Sequence, residues 1–197
     1  AGVKFETIVD PTRPTTNKNV FIANTYRMLK VDTLDNRPIS DKTLEQLKES
    51  LASSRVDAFV FSDFRHGIFS GHTIPQLTGS LPAGPLRAAD SQVASRWGNI
   101  LDFQRFDLLA PNEREVRFAL GDQDSVVRPL ALELYKRANC KTLVMKLGDR
   151  GIITYRAPSH DVRSFFTIDS FADPVVDPVG SGDALLAYAT LSLVATQ

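Results

Sequence analysis

Four short apolar runs constrain this chain more than any other feature. They occupy residues 57–61, 86–90, 106–110 and 142–147, and helix-length amphipathic stretches lie between most of them. Runs that are apolar at nearly every position, rather than at alternate ones, belong to strands buried on both faces. Parallel neighbours need a long crossover, and residues 73–81, 112–121 and 125–139 supply helical patterns of that kind. The expected fold is therefore α/β, a mostly parallel sheet covered by helices on both faces.

Punctuation refines this outline. Residues 19–23 and 27–32 read as two strands separated by Asn24-Thr-Tyr26, which predicts a hairpin. Asp35-Asn-Arg-Pro38 is a turn, and Ser40 is an N-cap for a helix with Leu44, Leu47 and Leu51 on one face. Pro75 is tolerated in the first turn of the 73–81 helix, and Gly121 ends the helix that follows Asn112. Pro129 leaves the start of the 125–139 helix open. Gly148-Asp-Arg-Gly151 is a turn into a return strand at 152–155, and residues 162–168 form a further strand.

The 197 residues, 43% apolar, suffice for one domain with a substantial core. The 23 basic and 23 acidic residues cancel, and no Lys/Arg block offers a surface for nucleic acid or anionic membranes. No apolar run approaches the ~20 residues that span a bilayer. The lone cysteine, Cys140, excludes an internal disulfide and reads as a small buried residue before a strand, so a cytosolic protein is expected. The chain lacks an initiator Met and its last apolar helix still runs at residue 197, so a piece of a larger domain, truncated at both ends, is expected.

In open α/β sheets ligands sit at the carboxyl ends of strands. That rule selects Asp63, Asp90, the Asn112/Glu115 pair and the segment Asp177-Pro-Val-Gly-Ser-Gly-Asp183. In that segment Gly180 and Gly182 let backbone N–H groups of Gly180, Ser181 and Gly182 approach an anion, at a predicted helix N-terminus that adds about half a positive charge. A carboxylate repels a phosphate there, unless Asp183 takes a proton from a hydroxyl while the loop holds the phosphoryl group under attack. The plainer reading makes Asp183 a helix N-cap. Asn112 and Glu115, three apart on one turn, converge on a nucleotide-bound Mg²⁺, or are an N-cap and a first-turn acid. Lys146 meets nucleotide phosphates or is a solvated strand-end lysine. Arg65 and His66 contact a phosphate or are surface loop residues. Asp177 orders the glycine loop, helps bind a cation through loop carbonyls, or forms an Asx turn before Pro178. His72 and His160 are too scattered for metal-ligand spacing. A dinucleotide-binding dehydrogenase is disfavoured, because no Gly-x-Gly-x-x-Gly follows an early strand.

Taken together, these segments resemble the ribokinase-like (PfkB) carbohydrate kinases. Asp177-Pro-Val-Gly-Ser-Gly-Asp183-Ala is close to the family's Asp-Thr-Val-Gly-Ala-Gly-Asp-Ala/Ser signature. Leu109-Ala-Pro-Asn112-Glu-Arg-Glu115 resembles its Asn-x-x-Glu element, and Leu147-Gly-Asp-Arg-Gly151 its Leu-Gly-x-x-Gly turn, in family order and spacing. Within the family the chain is most similar to the heptose-phosphate kinases of ADP-heptose synthesis. That similarity rests on Arg13-Pro-Thr-Thr-Asn-Lys18, Arg27-Met-Leu-Lys-Val-Asp32, Phe61-Ser-Asp-Phe-Arg-His-Gly67 and Ala89-Asp-Ser-Gln-Val-Ala-Ser95.

The resemblance implies a three-layer αβα fold with a small β lid at about 17–34 and a nucleotide-side core over 40–197. It implies ATP- and Mg²⁺-dependent phosphorylation of a sugar or sugar-phosphate hydroxyl. Asp183 matches the catalytic base and Gly180, Ser181 and Gly182 the anion hole. Asn112 and Glu115 match the Mg²⁺/phosphate element, with Asp177 beside them as a further metal candidate. Lys146, Gly148 and Gly151 fall on the nucleotide-side strand and turn. A monovalent cation is a second candidate ion for the 177–183 loop, where Pro178 replaces the family's usual threonine. Arg65-His66 stands where heptose kinases tend to have Gly-Lys. The segment carrying the family's Gly-Gly sugar motif and the piece completing its adenine pocket are absent from these residues. Family lids often pair between subunits, so a homodimer through the lid is expected. A non-catalytic nucleotide-binding or interaction module derived from such a kinase is the alternative.

Overall fold

The computed structural model describes residues 2–24, 26–92, 100–157, 164–171 and 178–196. The chain divides into two compact units, residues 1–53 with 66–81 and residues 54–65 with 82–197.

The first unit carries the hairpin. β1 (Asn17–Ala23) and β2 (Tyr26–Thr33) pair antiparallel, from Asn17 opposite Thr33 to Ala23 opposite Tyr26, with an irregularity between Phe21 and Ile22. Asn24, at φ 54°, takes the left-handed turn conformation that Asn tolerates better than most residues. Both strands are exposed along their length, because no second layer of this unit covers them. α1 (Asp41–Ser53) starts where the Ser40 hydroxyl accepts the Thr43 amide at 3.2 Å, and it buries Thr43 and Leu44. Leu47 and Leu51 are half-buried on the same face. α2 (Thr73–Gly79) packs against α1 with Ile74 and Leu77 buried. Arg13 ties the unit together. Its guanidinium donates to the carbonyls of His66, Arg37 and Pro38 at 3.2, 3.0 and 2.9 Å, and it pairs with Asp10 at 2.9 Å.

The second unit is built on one six-stranded sheet. Its strands are β3 (Ala58–Asp63), β4 (Leu86–Ser91), β5 (Leu108–Leu109), β6 (Thr142–Lys146), β7 (Ile152–Arg156) and β8 (Phe165–Ile168), in that spatial order. The first four are parallel, β7 pairs antiparallel with β6, and β8 pairs antiparallel with β7. The run expected as a strand over 106–110 keeps only two residues of regular ladder. Single bonds extend it, including Asp107 N to Arg87 O at 2.8 Å and Ala110 N to Ala89 O at 3.0 Å. The strand expected over 162–168 begins at Phe165, and residues 162–163 lie outside the described residues.

Strand parity sets the layers. Leu86, Ala88, Leu108, Ala110 and Val144 face α5 (Ser181–Ala195), where Leu186 completes a buried cluster. The alternate residues Leu109, Leu143, Met145 and Tyr155 face the other way and are buried there. That side holds α3 (Glu113–Leu120), α4 (Val127–Ala138) and a 3₁₀ turn at Ile100–Asp102. Phe61, Phe103 and Phe106 meet edge to face there, with centroids 5.4 to 6.2 Å apart, and Tyr135 of α4 stacks on Tyr155. The result is the expected three-layer α/β sandwich. Pro129 sits in the first turn of α4, where its missing N–H costs nothing. Cys140 is buried before β6, as its sequence context suggested, and burial pushes its thiol up to about 12. Among the described residues no helix is long and apolar enough to cross a membrane.

Candidate active site

The site lies in the second unit, where β4 and β6 end. Counting by twos from Leu86 and Thr142 brings Asp90 and Lys146 onto the face that α5 covers, one residue beyond the buried cluster. There the Lys146 ammonium is hydrogen-bonded to Asp90 Oδ2. Asp90 is 7% exposed, and its other oxygen, Oδ1, is buried with no hydrogen-bond partner. Burial pushes the Asp90 carboxyl above the usual range, Lys146 opposes that shift, and the charge of Asp183 adds to it.

The loop after β5 is held against β6 by the Lys146 N–H, which donates to Pro111 O at 2.8 Å, and by a parallel bridge from Asn112 to Lys146. This places Asn112 as the N-cap of α3. Its side-chain oxygen accepts the Glu115 amide at 2.9 Å, and the Glu115 carboxylate accepts Asn112 N and Nδ2 at 2.6 and 2.7 Å. The pair is the N-cap and first-turn acid of the plainer reading, joined reciprocally as a capping box. Glu115 is buried, and its carboxyl is pushed up to about 7, by burial first and then by the charge of Asp90.

The glycine loop arrives as the N-terminus of α5. Gly180, at φ 82°, is the N-cap, so Asp183 is the third helical residue and not the cap. Glycine sets that boundary because this left-handed conformation carries no steric cost for it. Among the described residues no hydrogen bond reaches the exposed Asp183 carboxylate. The Ser181 amide and hydroxyl both donate to Pro178 O, at 3.2 and 2.8 Å. That leaves the amides of Gly182 and Asp183 as first-turn donors without an intrahelical acceptor.

These pieces line one cleft of about 400 Å³, the lower end of the range of small-ligand sites. Asp90, Asn112, Glu115, Lys146, Gly148 and residues 180–183 all border it. A second cleft of about 530 Å³, lined by Arg114, Arg117 and Phe118, shares Asn112, Lys146 and Gly148 with it. Gly151 does not line either cleft. Its φ is 84°, and a Cβ there would stand 2.0 Å from Ile168 O, so it serves the close approach of the turn to β8. Asp177 lies outside the described residues. Gln92 also borders the cleft and was not singled out in the sequence.

Arg65 and His66 have different partners. The Arg65 guanidinium and amide both donate to Asp63, at 2.7 Å each, and Ser91 Oγ donates to Asp63 at 2.8 Å. His66 belongs to the other unit, where its ring meets Thr16 Oγ1 at 3.5 Å. Asp63, at a strand end like Asp90, points to the opposite face of the sheet and does not line the cleft.

Among the described residues no cluster of three or more His, Cys, Asp or Glu side chains forms a protein cage for a metal. The donor set still suits Mg²⁺, which keeps several waters and takes few protein oxygens. The buried carboxylate of Glu115 is such a donor.

The layers, and a cleft where parallel strand ends meet a helix N-terminus, are those of a ribokinase-like α/β fold. The chain belongs to the pfkB family of carbohydrate kinases, whose model matches residues 84–197. It is 28% identical over 183 residues to the bifunctional protein HldE of Wolinella succinogenes, covering 89% of this chain and 36% of that protein. It is 27% identical over 209 residues to the bifunctional protein HldE of Caulobacter vibrioides, covering 99% of this chain and 40% of that one. The chain thus spans well under half the length of these relatives. Among solved structures, phosphofructokinase-2 from Escherichia coli in complex with potassium superposes with a TM-score of 0.68 at 19% identity, over 86% of this chain and 53% of that one. Ribokinase from Thermotoga maritima gives 0.66 at 19% identity, over 94% and 58%. At that identity these two show the shared fold.

Proposed function

We propose that the chain carries the phosphoryl-transfer centre of a heptose 7-phosphate kinase, acting on a sugar-phosphate hydroxyl with ATP and Mg²⁺. The carrying observation is Asp183, exposed at the head of α5 and unencumbered, in one cleft with Lys146, Asp90 and Glu115. The family and the HldE relatives support the substrate class.

When bound, the Mg²⁺ nucleotide supplies the transferable phosphoryl group. Asp183 accepts the proton of the attacking hydroxyl, which raises that oxygen's nucleophilicity as the bond forms. The first-turn amides of α5 and the Lys146 ammonium face the negative charge and need no rearrangement to do so. Glu115, fixed by Asn112, is the residue that would hold the divalent ion, with Asp177 a further candidate. Burial of Glu115 makes it a proton holder without the ion and a carboxylate donor with it. The hairpin β1–β2, with Phe21, Ile22 and Leu29 exposed, is the lid candidate on family resemblance alone, and pairing with a second copy through it is part of that resemblance. A monovalent cation beside residue 177 is assigned on family resemblance alone.

The test is sugar-dependent ADP release by the intact protein with Mg²⁺ and ATP, over a panel of hexose and heptose phosphates, with the phosphorylated product weighed by mass spectrometry. Turnover on heptose 7-phosphate is expected. Nucleotide binding with no turnover on any sugar phosphate would replace this reading with the non-catalytic module.

A further inference from the structure

Among the described residues lining the site cleft, Lys146 is the basic one, against the carboxylates of Asp90, Glu115 and Asp183. An anionic ligand entering such a cleft depends on where that single ammonium stands. Its position is defined on two sides. One side is its hydrogen bond to Asp90 Oδ2. The other is the first turn of α5, where a Cβ on Gly182 would lie 3.2 Å from Lys146 Nζ and 3.8 Å from Cδ. An ammonium has three donors, so the bond to Asp90 leaves donors for a ligand held at the same helix end. A lysine stem is otherwise free to swing, and a point charge on it is useful only if held.

We infer that Asp90 is a positioning residue, holding the Lys146 ammonium against the head of α5 as the fixed cation for the terminal phosphates of a nucleotide. This rests on the nucleotide reading above and goes beyond it by giving the lysine a keeper and a target. A purely structural ion pair would need neither partner to border the cleft. Both do, at the ends of strands separated by β5.

The experiment is calorimetry on the intact protein with a non-hydrolysable ATP analogue and with AMP, each with and without Mg²⁺. Lys146→Met is expected to weaken the triphosphate analogue about tenfold or more, the value of one charge-assisted hydrogen bond, and AMP less than about twofold. Asp90→Asn is expected to show the same selective loss, and none beyond it in a Lys146→Met background. Lys146→Arg keeps the charge and is expected to recover part of the triphosphate affinity, which guards against a variant that only folds poorly. Equal losses from Asp90→Asn with and without Lys146 would overturn the inference and make Asp90 an independent ligand. Equal losses for AMP and the analogue would overturn it as well. If the unmodified protein prefers the triphosphate and Lys146→Met retains that preference, this inference fails while the kinase reading stands. If the unmodified protein binds neither nucleotide, both fail.

Discussion

Exchanging the two glycines of the loop separates its architecture from its chemistry. Gly182 is the second residue of α5, in ordinary helical geometry, and Gly180 is the N-cap at φ 82°. The three atoms nearest to a methyl at Gly182 all belong to Lys146, with Nζ at 3.2 Å, Cδ at 3.8 Å and Cε at 3.9 Å. The two carbon distances are ordinary contacts, and the first requires the ammonium to retreat by a few tenths of an ångström. The end of a lysine side chain does this at small cost. Against it stands the helix propensity of Ala over Gly, up to about 1 kcal/mol and less in a first turn. Gly182→Ala should therefore leave stability unchanged or raise it by up to about 1 kcal/mol. At Gly180 a methyl meets no atom of the described residues within 4 Å, so the cost of Gly180→Ala from them is the left-handed backbone alone, about 1–2 kcal/mol. Turnover should run the other way for Gly182. Displacing the ammonium from its place between Asp90 and α5 should slow phosphoryl transfer about tenfold or more, since small misplacements at reacting groups are costly. Urea unfolding followed by circular dichroism gives the stabilities, and sugar-dependent ADP release gives turnover. A Gly182→Ala protein that loses more than about 2 kcal/mol, or that keeps full turnover, refutes this account of the loop.

Three further outcomes follow from the same geometry. In the absence of Mg²⁺ and nucleotide, the folded protein keeps a proton on Glu115 up to about pH 7, while an unfolded Glu releases it near 4.5. Between those values the folded state binds more protons, so stability falls as pH rises across that window and levels off above it, by at most about 3 kcal/mol. Glu115→Gln should flatten that fall in urea midpoints between pH 5 and pH 8, and an unchanged slope would show that Glu115 is not its source. Asn112→Ala removes the cap of α3 and one partner of Glu115, and should cost about 1–2 kcal/mol in thermal or urea unfolding; a cost near zero would mean the capping box does not hold in solution. Leu186→Ala empties the contact of α5 with the sheet, where Leu186 is 2% exposed, and should cost about 2–5 kcal/mol, while a smaller cost would mean the cluster is not packed as described.

Much of the second unit was legible in the chain because its signals are local. Short, largely apolar runs marked β3, β4 and β6, and Asn112 and Gly121 bracketed α3 within a residue. Both glycines of the 148–151 turn looked alike in sequence, and only the packing of β8 shows that Gly151 serves the backbone while Gly148 borders the cleft. Asp63 and Asp90 likewise both end apolar strands. Parity separates them, because Asp90 follows Ala88 on the α5 face and Asp63 follows Phe61 on the other. The same count along β6 puts Lys146 on the face of Asp90, so that pairing was within reach of the strand pattern. The Arg65–Asp63–Ser91 network was not legible, since it depends on two strands meeting in register. The anchoring of the 35–39 turn by Arg13 was hidden for the same reason. The plainer reading of Asp183 as the N-cap falls three residues late, because an acid before an apolar helix signals a cap more strongly than a glycine does.

The most direct measurement is the turnover of Asp183→Asn in the intact protein, set beside its affinity for Mg²⁺ and an ATP analogue. The change keeps the size of the side chain and removes its ability to accept a proton. With Asp183 as the base, kcat should fall by about 10²–10⁴ while nucleotide affinity changes less than about threefold. Near-unchanged turnover in that variant would contradict the assignment, and with it the central claim about the head of α5.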